Sequence, residues 1–168
     1  MSQFDVLEFA EVDVPPVLAA QMPGECGPDP AVIAGAMRAA FDKLMGFMRE
    51  LRASPAGPPR AIYTAYGPQG VRFIVAAPIT ARPPVTRTLG PGFVKNLAGG
   101  RAMRFTHRGP YADLAKTYAQ ITEFLKAKGL MKTEADWARY MPMWEEYRND
   151  PQTTPEAELL TYIYLPVK

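Results

Sequence analysis

With 168 residues, 48% of them hydrophobic and 21% charged, the chain has the length and composition of one folded domain rather than of a disordered segment. A net charge of +2 and scattered lysines and arginines offer no phosphate-tracking stripe, which argues against direct nucleic-acid binding and against a membrane-surface role. Cys26 is the only cysteine and His107 the only histidine, so an internal disulfide is impossible and a Cys/His metal cluster lacks ligands. No metal or other cofactor is expected.

The start, Met1-Ser2-Gln3-Phe4-Asp5, has neither a basic n-region nor an apolar h-region. No uninterrupted apolar run approaches the ~18 residues that cross a bilayer, and a cytoplasmic location is the expectation. Strand-like runs at Val6–Phe9 and Val17–Met22 come first. Asp29-Pro30 then supplies an N-cap side chain and a proline at the first helical position. Ile33, Met37, Phe41, Leu44, Met48 and Leu51 recur at spacings of four or three and predict one face of a helix. The Pro/Gly cluster Pro55–Pro59 ends it.

Two further strands, Ala61–Tyr66 and Val71–Ala77, flank the turn signal Gly67-Pro68-Gln69-Gly70. Strands are also expected at Thr86–Leu89 and Ala102–His107, beyond a Pro/Gly-rich connection that spans Arg82–Gly92. Gly109-Pro110 opens a second helix, marked by Leu114, Tyr118, Ile121 and Leu125, and Lys126, Lys128 and Gly129 suit its C-terminus. Met141–Tyr147 and Leu159–Leu165 close the chain as strands, separated by Asn149-Asp150-Pro151 and a polar stretch.

The pattern β-β-α-β-β therefore occurs twice. The two copies end alike, in Phe73-Ile74-Val75-Ala76-Ala77-Pro78-Ile79 and Thr161-Tyr162-Ile163-Tyr164-Leu165-Pro166-Val167, apolar strands stopped by a proline. The expectation is an α+β fold of two units related by a pseudo-twofold axis, with antiparallel sheets, a helix on one face and a cleft between halves. One domain over Met1–Lys168 is expected, with halves near Met1–Ala81 and Arg82–Lys168, because each half alone has too little core.

Alternation sorts the side chains by face. Leu159, Thr161, Ile163 and Leu165 form one set, and Leu160, Tyr162 and Tyr164 the other. Met141, Met143, Glu145 and Tyr147 share a face, opposite Pro142, Trp144 and Glu146. A carboxylate in line with Met143 and Tyr147 is costly if buried without a partner, and aromatic rings around it form a receptor for an organic cation. A solvated strand glutamate is the competing reading. Tyr63, Tyr66, Tyr111, Tyr147, Tyr162 and Tyr164 supply rings on or beside these elements. Cys26 has no obvious base nearby to make it a nucleophile, and His107 reads as a ring that holds a turn.

Three stretches resemble the GyrI-like small-molecule-binding domains, also found as effector-binding domains of bacterial multidrug-responsive transcription regulators. His107-Arg108-Gly109-Pro110-Tyr111 with Leu114 and Tyr118 is similar to the family's H-x-G-P-Y helix entry. Glu145-Glu146-Tyr147-Arg148-Asn149-Asp150-Pro151 is similar to its E-x-Y-x-x-D-P strand and turn. Thr161-Tyr162-Ile163-Tyr164-Leu165-Pro166-Val167 is similar to its closing T-x-I-Y-x-P-V strand. The first half matches mainly in layout, and the link Leu130–Arg139, with Asp136-Trp137, is longer than is common in the family.

The resemblance implies that Glu145 meets cationic, lipophilic ligands in the cleft, with Tyr147, Tyr164 and Tyr111 as lining. Tyr63 and Tyr162 join on their strand faces alone. The implied function is a stand-alone effector-binding or drug-sequestering protein that lacks its own DNA-binding domain. Two alternatives come with the family. One is a hydrolase of strained, cyclopropane-containing electrophiles, with Glu145 activating water and Tyr147 or Tyr164 stabilising the leaving oxygen. The other is a modulator of DNA gyrase or partner of a regulator.

Overall fold

A computed structural model describes residues 7–83 and 90–167. Eight strands form one antiparallel sheet: β1 Glu8–Val14, β2 Val17–Cys26, β3 Arg60–Gly67, β4 Gly70–Pro78, β5 Phe93–Leu97, β6 Gly100–Arg108, β7 Met143–Tyr147 and β8 Leu160–Pro166. Two α-helices accompany them, α1 Pro30–Leu51 and α2 Leu114–Ala127. Short 3-10 turns lie at Tyr111–Asp113, Glu134–Tyr140 and Glu156–Glu158.

Local chemistry sets most boundaries. The Asp29 carboxylate accepts the Ala31 N–H at 2.8 Å and starts α1, while Gly129, at a φ of 73°, stops the chain after α2. Gly70 turns the β3–β4 hairpin at a φ of 139°, where a Cβ would also meet the Cys26 carbonyl oxygen at 2.7 Å. Pro78 and Pro166 are the last residues of β4 and β8. Strand β7 begins at Met143 rather than Met141, since Pro142 has no N–H to give a ladder.

The sheet order is β1-β6-β8-β7-β3-β4-β2-β5. Exchanging β1 with β5, β2 with β6, β3 with β7 and β4 with β8 reproduces this order in reverse, as a twofold through the β3–β7 junction would. Each unit also lends its first strand to the other: β1 pairs with β6, and β5 with β2. That exchange explains two departures from the sequence pattern. Strand β1 runs on to Val14 because β6 extends it. Before β6 the strand is Phe93–Leu97, paired to β2, and the expected Thr86–Leu89 lies outside the described residues.

Both helices cover the same face. Leu44, Phe47, Met48 and Leu51 of α1 pack on Met22, Val71, Phe73 and Val75, and Ile121 and Leu125 of α2 pack on Phe105, Ile163 and Leu165. Each such side chain contributes roughly 1.5–3 kcal/mol of burial. Tyr63 is packed against both clusters, so the line where the two cores meet runs along β3 and β7. Across that face one cross-strand row reads Phe9, Phe105, Ile163, Glu145, Ala61, Val75 and Met22. It holds a single charge, and that charge sits at the junction. Among the described residues no helix is long and apolar enough to cross a membrane.

Candidate functional site

Glu145 is 3% exposed. Its cross-strand neighbours are Ile163 and Ala61, neither of which can pair a charge. The partners come instead from tyrosine hydroxyls: Tyr147 donates to Oε1 at 2.7 Å, and Tyr118 of α2 donates to Oε2 in a short hydrogen bond. Among the described residues no lysine or arginine forms an ion pair with this carboxylate. Burial pushes the Glu145 carboxyl up, and the two hydroxyl donors and nearby His107 oppose that push without reversing it. Burial, then the charge of Glu145, pushes the Tyr118, Tyr147 and Tyr63 hydroxyls up, so they remain donors at neutral pH.

His107 organises the approach to α2. Its Nε2–H donates to the Pro110 carbonyl at 2.9 Å, and its Nδ1 shares a hydrogen bond with the Thr117 hydroxyl at 2.6 Å. The turn so fixed presents Tyr111 before the helix and Tyr118 on its inner face. The Tyr147 ring lies edge-on to Tyr111 at 5.4 Å and to Phe41 of α1 at 5.9 Å. Trp137 lies edge-on to Tyr118 at 5.9 Å.

The expected residues divide by face. Glu145, Tyr147, Tyr111 and Tyr63 gather on the helix side. Tyr162 and Tyr164 do not join them. Cross-strand partners share a face, and β8 sets Tyr164 opposite Trp144 and Tyr162 opposite Glu146, with both tyrosines turned away from Glu145. Alternation within β8 separates the tyrosines from Ile163, but only the register against β7 says which set meets the carboxylate.

Tyr118, Phe41 and Trp137 reach the site from helices and a turn, where a strand pattern carries no signal for them. Tyr118 is legible as a core position in the α2 stripe and as part of the helix-entry motif, but not as a partner of Glu145. The Leu130–Arg139 segment is placed by Tyr140, whose hydroxyl donates to the Leu130 carbonyl at 2.8 Å, and by a capping box of Thr133 and Asp136. It lays Trp137 over Tyr118 on the side of the second core. Among the described residues no group of three or more His, Cys, Asp or Glu is arranged to hold a metal.

The model of the GyrI-like small molecule binding domain matches residues 68–168. This chain belongs to the GyrI-like family. No curated protein sequence matches it. Among solved structures, the C-terminal domain of EcmrR is similar at 15% identity and a TM-score of 0.68, covering 98% of this chain and 99% of that one. EcmrR in its DNA complex matches at 14% identity and a TM-score of 0.76 over 99% of this chain, which spans 59% of the EcmrR chain. SAV2435 bound to tetraphenylphosphonium is similar at 13% identity and a TM-score of 0.65, covering 96% of this chain and 94% of that one. A protein named as a hydrolase from Listeria innocua follows at 12% identity and a TM-score of 0.58, covering 96% and 92%. These likenesses establish a shared fold. Within the GyrI-like match lie Glu145, Tyr147, Tyr111, Tyr118 and Trp137, whereas Phe41 and Tyr63 come from the half that precedes it.

Proposed function

We propose that this GyrI-like domain binds an amphipathic organic cation, with Glu145 as charge partner and Tyr147, Tyr111, Tyr118, Tyr63 and Phe41 as aromatic walls. One observation carries the reading: among the described residues, the hydrogen bonds that hold this buried carboxylate at the junction of the two cores come from neutral hydroxyls. Neutral donors hold its oxygens in place yet leave its charge uncompensated, so a cation entering this low-dielectric site gains strongly from pairing with it. Tyr147 is half-buried and held by one hydrogen bond and two ring edges, which makes its ring the group whose swing admits a ligand. A relative of the same fold, SAV2435, has been solved with the lipophilic cation tetraphenylphosphonium.

Titration with tetraphenylphosphonium, followed by the fluorescence of Trp137 beside Tyr118, tests this reading. Saturable binding is expected, weakened at least tenfold in Glu145→Gln. An affinity unchanged in that variant refutes the charge-pairing role.

The raised carboxyl of Glu145 also favours a second reading, hydrolysis, because burial moves it toward the range where a carboxylate exchanges protons near neutral pH. Incubation with a cyclopropane-containing electrophile then yields the water adduct by mass spectrometry, and Glu145→Gln abolishes it. Binding without adduct leaves the receptor reading alone.

A further inference from the structure

The face of the sheet turned away from Glu145 carries a second set of buried polar groups that the proposed cation site does not use. Arg60 and Glu146 are cross-strand partners on β3 and β7, 9% and 6% exposed, with the Arg60 Nε 3.7 Å from Glu146 Oε2. Arg148 donates to Glu146 Oε1 at 2.8 Å, and the Tyr164 hydroxyl lies 3.4 Å from the same oxygen. The guanidinium of Arg104 sits 4.5 Å over the Tyr162 ring and that of Arg148 at 5.1 Å, while Arg60 lies 5.6 Å over Trp144. Trp144 stacks on Tyr164 at 4.9 Å and 14°.

The donors outnumber the acceptors. Two guanidiniums, Arg60 and Arg148, share one carboxylate, and three buried N–H groups of this face are left with no hydrogen-bond partner: Arg60 Nε, Arg104 Nε and Trp144 Nε1. Native structures rarely leave one such donor unpaired, and three on one face of one sheet call for an acceptor. The groups also share one locus. Tyr164 lies among them, its hydroxyl 3.4 Å from Glu146 Oε1 and its strand position opposite both Arg104 and Trp144. Stacking on Tyr162 and Trp144 fixes the planes of the guanidiniums and so the directions in which their N–H edges point.

We propose that this face is a second binding site, for an oxyanion, with Arg60, Arg104 and the Trp144 indole as its donors and Arg148 as its third positive charge. The ligand class is a small molecule bearing a carboxylate or phosphate, since both offer several acceptor oxygens and a negative charge to a cluster of three cations and one anion. The site stands back to back with Glu145 across a single strand. It is independent of the cation reading.

The test follows the indole N–H resonance of Trp144 by heteronuclear NMR, assigned with Trp144→Phe, at constant ionic strength set with chloride. Inorganic phosphate and benzoate are titrated separately. A saturable shift with phosphate identifies the phosphate class, one with benzoate the carboxylate class, and either supports the site. Arg104→Met is expected to weaken that binding at least tenfold, and the part-exposed Arg148→Met provides a second variant should the first lose its fold. Glu145→Gln is expected to leave the shift unaltered, which separates this site from the cation site. A Trp144 resonance that moves with neither anion, or moves equally in both arginine variants, overturns the proposal.

Discussion

Glu145 and Glu146 are adjacent on β7 and almost equally buried, yet the sheet treats them in opposite ways. Glu146 faces two guanidiniums, Arg148 at 2.8 Å and Arg60 at 3.7 Å. Glu145, also at the centre of the sheet, is hydrogen-bonded by two tyrosine hydroxyls and, among the described residues, forms no ion pair with a lysine or arginine. A buried carboxylate matched by cations is part of the frame, because its charge is already answered. A buried carboxylate held by neutral donors remains an attractor for a charge from outside, at a cost in folding free energy. This difference is why we propose Glu145, and not Glu146, as the charge partner of a cation.

The largest expected effect breaks the structural member of this pair. Glu146→Ala leaves Arg60 and Arg148 facing each other without compensation, and unfolding in urea should show a loss of about 3–5 kcal/mol. A loss near zero would erase the distinction between the two glutamates. Next come the hydroxyls that hold the other one. Tyr118→Phe removes the donor to Oε2, Tyr147→Phe the donor to Oε1, and each should cost about 1–3 kcal/mol at neutral pH.

The third effect is in pH and has a definite sign. The folded Glu145 carboxyl lies above its unfolded value, so its contribution to stability is complete below the unfolded range and is lost as pH rises through the folded value. Glu145→Gln removes that loss. The stability of the variant relative to wild type should therefore grow as pH rises from the ordinary glutamate range upward, and a flat difference would contradict a raised carboxyl. The smallest effect is the most diagnostic of face: Tyr162→Phe should change cation affinity by less than about twofold, because its ring lies across the sheet from Glu145.

Much of this arrangement is legible from local pattern. Asp29-Pro30 marks the start of α1, the Gly67–Gly70 turn marks a hairpin, and alternation places Met143, Glu145 and Tyr147 on one face. What local pattern lacks is register. The motif suggests Tyr164, and the strand face alone Tyr162, as neighbours of Glu145, and the pairing of Glu145 with Ile163 turns both to the other side. The exchange of β1 and β5 between units is hidden for the same reason, since long-range pairing follows from the whole sheet and not from any one strand. Tyr118, Phe41 and Trp137 depend on how two helices and a turn lie over the sheet, which side-chain packing decides.

The pseudo-twofold order sharpens the comparison further. Aligning the closing prolines Pro78 and Pro166, with the observed registers, makes Ala61 the counterpart of Glu145 and Tyr63 the counterpart of Tyr147. Ala61 and Glu145 are themselves cross-strand partners at the junction. One unit therefore supplies the carboxylate, and the other supplies a methyl group beside it.

Proton release on binding tests the central claim most directly. Calorimetric titration of a permanently charged lipophilic cation, repeated in buffers of different ionisation enthalpy, counts protons released per ligand bound. If Glu145 pairs with the cation, binding ejects a proton at pH values below its raised pKa, tightens as pH rises, and loses both features in Glu145→Gln. Equal affinity at every pH, with no proton released and no change in the variant, would contradict the account.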